Sequence, residues 1–220
     1  MRDCRIPECG RQTTGRSHYC TAHKTRDRRH GHPLQETITK TVLKPYVSAV
    51  GTWVDRQGAD DLWSKIEGNW LVLVDWARGV LASYARGRPM YHPEVEAARA
   101  IVAAADDLTP RKVAETIAAM GLLWAKEPHL FKSDRAAWVQ TARRFLGLSE
   151  RNAGMWWHEG EGRMRRTYKD IPPRNSVFLG RLLMAALGII GTHVHEAQKR
   201  HEATAERLRR EMLERLTQHA

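Results

Sequence analysis

The first 23 residues contain every cysteine of this 220-residue chain, at a spacing typical of metal ligands. Cys4 and Cys9 are followed by Cys20 and then by His23, which gives the pattern C-x4-C-x10-C-x2-H. The segment around them has few apolar residues, so it cannot fold on a hydrophobic core of its own. Three thiolates and one imidazole around a tetrahedral Zn²⁺ would supply the missing stabilisation. We therefore predict one zinc ion held by these four residues.

His23 is the preferred fourth ligand, because two residues separate it from Cys20 and that spacing suits one turn of a helix. His18, His30 and His32 are nearby imidazoles and are the alternatives. A site with four protein ligands is closed and leaves no position for a substrate. The predicted ion is therefore structural and not catalytic.

The segment resembles the small zinc-binding heads of phage and mobile-element proteins, including some HNH-type endonucleases. Those heads contain Cys-x4-Cys-Gly, a variable loop and an aromatic-Cys-x2-His that leads into a basic stretch. This chain has Cys4 and Cys9-Gly10, then Tyr19-Cys20 and His23, and then the basic stretch over residues 24–29. The resemblance covers about 30 of the 220 residues and implies zinc binding. Nuclease activity is not carried over, because no His-Asn-His order follows His158.

Positive charge is concentrated in two short segments of a chain with a net charge of +11. Residues 1–32 carry eight Lys/Arg against three Asp/Glu, and residues 163–181 carry six against one. Solubility does not need such clustering, so we predict a polyanionic partner, most simply nucleic acid. The predicted contact residues are Arg11, Arg16, Lys24, Arg26, Arg28, Arg29, Arg143, Arg144, Arg163, Arg165, Arg166, Lys169 and Arg174.

The rest of the chain predicts a mostly α-helical fold, because apolar residues recur at helical spacing. We expect a zinc-binding head with a basic tail over residues 1–32, a helical domain over 33–192 and a C-terminal helical extension over 193–220. Thr109-Pro110 and Ser133 are typical helix starts and predict helices over 110–126 and 134–146. Aromatic and basic runs around a glycine-rich tip predict one basic β-hairpin at about residues 155–171.

Two arrangements of the central region remain open. A helix pair followed by a basic hairpin resembles a winged helix, in which the hairpin would touch the backbone or the minor groove of DNA. The residues on the recognition helix would be Arg135, Gln140, Arg143 and Arg144. The alternative is a helical bundle from which the hairpin protrudes. We favour the bundle, because the linker over 127–132 is longer than the usual turn.

The C-terminal segment over 193–220 predicts one long helix of mixed charge. Its apolar seam at 3-4 spacing is interrupted by Ala197, His201 and Thr204. A homodimer through a coiled coil is one interpretation, and a solvated extension is the favoured one.

The function predicted is that of a non-enzymatic, zinc-containing nucleic-acid-binding protein, with DNA favoured over RNA. It would be a regulatory or accessory factor of a phage or mobile element. The alternatives are an adaptor that binds host transcription or replication proteins through the head, and a metal-dependent nuclease. The polar N-terminus is unlike a secretory signal, and the apolar run Leu182–Gly191 is too short to span a bilayer. We therefore expect a cytoplasmic protein with no membrane partner.

Overall fold

The computed structural model describes residues 2–57, 59–149, 153–168 and 171–218, which are mostly α-helical. The predicted fold class is confirmed, with a helical body, one hairpin, one long C-terminal helix and an N-terminal cluster of cysteine and histidine. The elements, in chain order, are α1 (Thr21–His30), α2 (Lys40–Arg56), α3 (Ala59–Ala85), α4 (His92–Ala105), α5 (Pro110–Lys126), α6 (Asp134–Leu146), β1 (Ala153–His158), β2 (Arg163–Tyr168), α7 (Pro173–Leu183) and α8 (Ile189–Gln218).

The starts of α5 and α6 agree with the predicted capping residues. Thr109 precedes α5 and its hydroxyl oxygen accepts a hydrogen bond from the Lys112 amide, while Pro110 occupies the first helical position. The Ser133 hydroxyl oxygen accepts a hydrogen bond from the Ala136 amide at 3.1 Å. Each cap satisfies an amide that has no partner within its own helix, and this is why both boundaries could be placed from sequence.

Helix α5 lies at the centre of the core. It packs against α2, α3, α6 and α8, and its residues from Val113 to Leu123 are buried with the exception of Glu115. Around it, α3 pairs with α4, α4 packs on α7, and α6 packs along α7. A helix surrounded in this way must be apolar on nearly every side, which explains the run of small and aliphatic residues in α5.

Glycines allow two helix pairs to approach unusually closely. A Cβ atom added to Gly121 of α5 would lie 2.0 Å from the carbonyl oxygen of Gly188, and one added to Gly191 of α8 would lie 2.1 Å from the carbonyl oxygen of Ala118. A Cβ on Gly180 of α7 would lie 1.8 Å from the carbonyl oxygen of Trp138 in α6. Any side chain at these positions would push the helices apart.

The hairpin is antiparallel, with Ala153 paired to Tyr168 and His158 paired to Arg163. Among the residues described, the two strands contact each other, and no helix makes more than marginal backbone contact with them. Trp157 and its cross-strand neighbour Met164 are 54% and 48% exposed. The hairpin therefore protrudes from the helical body.

Helix α6 is packed against α1, α5 and α7, and most of its residues are buried. A recognition helix needs an open face that can enter a groove of DNA. The packing of α6 therefore favours the bundle with a protruding hairpin over the winged-helix alternative.

Helix α7, a π-helical turn over Met184–Gly188 and α8 follow one another without a break. Leu183, Leu187 and Val194 are buried in the core, whereas every side chain from Lys199 to Arg215 is exposed. The predicted boundary at residue 193 falls inside α8.

The stretch Pro173–Arg215 is long and apolar enough to span a membrane by length and composition alone. In its most apolar window 44% of the residues are buried in the fold, and a single helix of this kind is weak evidence for a membrane span.

We expect the substitution Gly180→Ala to lower the free energy of unfolding by about 1–3 kcal/mol, because the new methyl group collides with the α6 backbone. The matched control is Gly79→Ala in α3, where an added Cβ has no atom within 4 Å. That change should raise stability by up to about 1 kcal/mol through helix propensity. Urea unfolding followed by circular dichroism measures both, and equal effects would contradict the close α6–α7 contact.

Candidate metal centre and the basic face beside it

Residues 2–20 form a compact loop that brings Cys4 and Cys9 together. The Cys4 amide donates to the Arg11 carbonyl at 2.9 Å, and the Thr13 amide donates to the Arg2 carbonyl at 2.7 Å. Gly10, directly after Cys9, has φ +61°, a conformation that glycine adopts without strain. Gly10 therefore allows the backbone to turn directly after Cys9.

Four side-chain atoms converge on one point in this loop. Nδ1 of His23 lies 3.4 Å from the Sγ atoms of Cys4, Cys9 and Cys20, and the sulfurs of Cys9 and Cys20 are 3.8 Å apart. In a tetrahedral site, metal–sulfur bonds are about 2.3 Å and metal–nitrogen bonds about 2.0 Å long. Two sulfur ligands are then about 3.8 Å apart, and a sulfur and a nitrogen ligand are about 3.5 Å apart. The four residues could therefore hold one tetrahedral metal ion, as predicted from their spacing.

Helix α1 positions two of the four ligands. Cys20 is its N-cap residue and is 3% exposed, and His23 lies in its first turn. The backbone N–H of His23 lowers the pKa of the Cys20 thiol, and the Ala22 N–H acts in the same direction. A thiol at a helix N-terminus is thereby biased toward the thiolate, which is the form that binds metal.

The other histidines considered as ligands lie outside the cluster. Nδ1 of His30 is 3.2 Å from the side-chain amide nitrogen of Gln140, and Nδ1 of His32 accepts a hydrogen bond from the Leu34 amide. His18 is exposed, and its carbonyl accepts a hydrogen bond from the Arg5 amide. Only His23 joins the three cysteines within the residues that the structure describes.

Helix α1 is docked on α6, which sequence alone did not indicate. It ends at Gly31 (φ +84°), where an added Cβ would lie 2.9 Å from Cα of Ala136. The side chain of Asp27 pairs with Arg135 at 3.0 Å. The predicted basic tail is therefore a helix fixed to the body, with the metal cluster at its N-terminal end.

Gln140 is the buried polar contact of this junction and is fully inaccessible to solvent. Its side-chain oxygen accepts a hydrogen bond from the Ile38 amide at 3.0 Å, and its nitrogen approaches His30. The Asp27–Arg135 pair is partly exposed, so it contributes about 1 kcal/mol or less. The hydrogen bonds of Gln140 and the close approach of Gly31 are therefore the stronger constraints on the position of α1.

The predicted contact residues in the head are all on the surface. They are Arg11, Arg16, Lys24, Arg26, Arg28 and Arg29. In α6, by contrast, Arg143 and Arg144 are half-buried, and the Arg143 guanidinium donates to the Arg29 carbonyl at 3.5 Å. Arg143 therefore contacts the C-terminal end of α1, and its role as a nucleic-acid contact stays a prediction.

In the hairpin, Arg163 is exposed but pairs with Glu161 at 2.7 Å, so part of its charge is compensated. Arg165 and Arg166 belong to β2, and their side chains lie outside the described part of the chain. Lys169 lies outside the described residues altogether. Arg174 is exposed in the first turn of α7.

Arg135 connects the two basic segments of the sequence. It pairs with Asp27 of α1 and also lines a cleft of about 510 Å³ together with Arg174 and Arg181 of α7. We use the name basic face for the cations on the two sides of the Asp27–Arg135 contact, which are Lys24, Arg26 and Arg28 of α1 and Arg174 and Arg181 of α7, together with Arg135 itself. Tyr91 and Phe178 also line the cleft, and sequence offered no signal for them because their helices are far apart in the chain.

Comparisons of the chain with protein-family models, with curated proteins and with solved structures found no match.

We expect His23→Ala and Cys9→Ser to abolish metal binding, because each removes one of four ligands. His18→Ala removes an exposed imidazole outside the cluster and should leave one metal ion per chain. Elemental analysis of the purified proteins measures the ratio of metal to protein. Metal retained in His23→Ala but lost in His18→Ala would contradict the ligand set.

We expect Gln140→Met to lower the free energy of unfolding by about 1–3 kcal/mol, because it leaves the buried Ile38 amide without an acceptor. Asp27→Asn should cost about 1 kcal/mol or less, since its ion pair is partly exposed. Chemical denaturation of the metal-loaded protein compares the two, and a larger loss for Asp27→Asn would reverse our ranking of the two contacts.

Proposed function

We propose that this protein is a zinc-containing nucleic-acid-binding protein that acts by binding and not by catalysis. The observation that carries the proposal is the position of the metal cluster. It lies at the N-terminal end of α1, and Asp27 of that helix pairs with Arg135, which lines a cleft together with Arg174 and Arg181. The ion pair thereby connects two basic segments that are distant in sequence.

Zinc is the metal that this donor set favours. Thiolate and imidazole ligands in a closed tetrahedron are typical of structural Zn²⁺ sites, whereas Mg²⁺ and Ca²⁺ prefer oxygen ligands. Three thiolates and one imidazole occupy all four positions. The ion would therefore fix the fold of the loop and the start of α1, and it would not activate water.

Nucleic acid is the partner that the basic face favours. Lys24, Arg26 and Arg28 are exposed on a helix that is held at both ends, so their charges would be presented to phosphates with little loss of backbone freedom. Such contacts release counterions and give affinity without sequence reading. DNA is the favoured form, and the protein would act in the cytoplasm.

The resemblance of the head to those of phage and mobile-element proteins supports a role as a regulatory or accessory factor of such an element. Nuclease activity is the weakest alternative, because a closed site offers no open metal position.

A protein partner is a second candidate. Leu208, Met212 and Leu213 are 55%, 66% and 56% exposed on the part of α8 that extends from the body. These side chains would fit a homodimer or a host transcription or replication protein.

We expect the full protein to bind DNA with an affinity that falls steeply as salt rises. The double substitution Arg26→Gln/Arg28→Gln should reduce the slope of log K against log salt by about 2, since each lost phosphate contact contributes about 0.9. Fluorescence anisotropy with a labelled duplex measures the slope.

The matched control is Arg200→Gln/Arg209→Gln, which removes the same charge from exposed positions of α8. It should change the slope little. No salt-dependent binding by the wild-type protein to duplex or single-stranded DNA or RNA would refute the proposed function, and equal losses in both variants would mean that net charge and not the basic face binds the polymer.

A further inference from the structure

The cleft of about 510 Å³ beside α1 combines cations with aromatic rings. The side chains that give it its chemistry are Arg135, Arg174 and Arg181 together with Tyr91 and Phe178. The remaining described lining residues are Pro173 and Val177, so the lining contains no carboxylate. Its volume is within the range of sites that enclose small molecules or single residues of a polymer. A ligand that fits this lining carries negative charge and a flat ring.

Tyr91 gives the cleft an open aromatic surface. Tyr91 is 57% exposed, and its ring meets the ring of Phe178 nearly edge-on, with centroids 6.0 Å apart and an interplanar angle of 69°. An edge-to-face contact fixes the orientation of both rings. The exposed surface of Tyr91 is therefore available to stack on a planar group.

The cations of the cleft are not equivalent. Arg135 is already paired with Asp27, so much of its charge is used in holding α1. Arg174 and Arg181 are exposed on α7, and no ion pair within the described residues involves either side chain. Arg181 also lies over the ring of Trp138, with its guanidinium carbon 6.0 Å from the centroid. Arg174 and Arg181 are thus the groups that an anion would meet.

Arg181 also lines a second pocket. This pocket has a volume of about 560 Å³, and its largely apolar lining includes Trp124, Trp138 and Ile189 as well as Arg181. Arg181 therefore lines two pockets that each contain aromatic side chains. A ligand with one ring would use one pocket, whereas a strand of nucleotides could place successive bases in both, with a phosphate at Arg181.

We infer that the cleft binds unpaired nucleotides of a single-stranded segment, with one base stacked on Tyr91 and backbone phosphates held by Arg174 and Arg181. Bases in a duplex are stacked on each other and cannot reach Tyr91, so the cleft selects unpaired nucleic acid. This inference rests on the proposed function and adds to it the strand form that the protein prefers. The exposed cations of α1 would bind the phosphates of single-stranded and duplex nucleic acid alike.

The test compares a labelled single strand of thymidines with a duplex of the same length. Tyr91→Ala should weaken binding of the single strand by about tenfold through the lost stacking and leave the duplex affinity unchanged. Tyr91→Phe should bind as the wild type does, because it keeps the ring. Tyr84→Ala is the matched control, since Tyr84 is also exposed (46%) but belongs to α3, away from the cleft.

Arg181→Gln should reduce the salt slope for the single strand by about 0.7, whereas Arg200→Gln should not change it. Ultraviolet crosslinking of a strand that contains 5-bromouracil should label a peptide carrying Tyr91 or Phe178. Melting temperatures of all variants confirm that they are folded before binding is compared.

The possible results distinguish a failure of this inference from a failure of the proposed function. If the wild-type protein binds no nucleic acid, the proposed function and the inference both fail. If it binds duplex and single strand, but Tyr91→Ala and Arg181→Gln bind the single strand as the wild type does, the inference is overturned and the proposed function stands. A peptide rich in Asp and Trp that binds this cleft when the thymidine strand does not would also overturn the inference.

Discussion

The contact between α1 and α6 determines what the metal cluster can do. A small closed metal site orders only the residues that bind the metal and their immediate neighbours. Without a further contact, this head would be a separate unit joined to the body by a flexible linker. Gly31 lets the end of α1 lie against the backbone of α6, and the buried side chain of Gln140 joins the next segment to the same helix. The cluster and the body thereby become one surface.

This junction accounts for the dual character of α6. One side of α6 packs in the core. On its other side, Arg135 forms an ion pair with Asp27 of α1 and Arg143 donates a hydrogen bond to the Arg29 carbonyl of α1. A helix engaged on these sides cannot also enter a DNA groove. The cations of the basic face that remain exposed to solvent lie on α1 and on α7. Helix α7 can pack closely against α6 because Gly180 has no side chain at the contact. Close glycine contacts therefore determine how the α7 arginines are placed relative to α1.

Local signals made much of the architecture predictable. The caps at Thr109 and Ser133 placed α5 and α6 to within a residue, and the ligand spacing identified Cys4, Cys9, Cys20 and His23 as one cluster. The hairpin was found two residues from its predicted start. The contacts between distant segments could not be predicted, because a pair such as Tyr91 and Phe178 leaves no periodicity or motif in the chain. The contact of Gly31 with the α6 backbone could not be predicted either, because a glycine after a helix indicates only that the helix ends.

The sequence by itself determined the local chemistry, which comprises a four-ligand site, an excess of positive charge in two segments and a helical body. Each of these depends on residues that are close in the chain, where spacing is fixed by helix or turn geometry. Only the tertiary structure decided that Asp27 of α1 pairs with Arg135 of α6 and that Arg135 lines a cleft with Arg174, Arg181 and the exposed Tyr91. Those features depend on how closely α1, α6 and α7 approach one another, and that distance is determined by packing over the whole core.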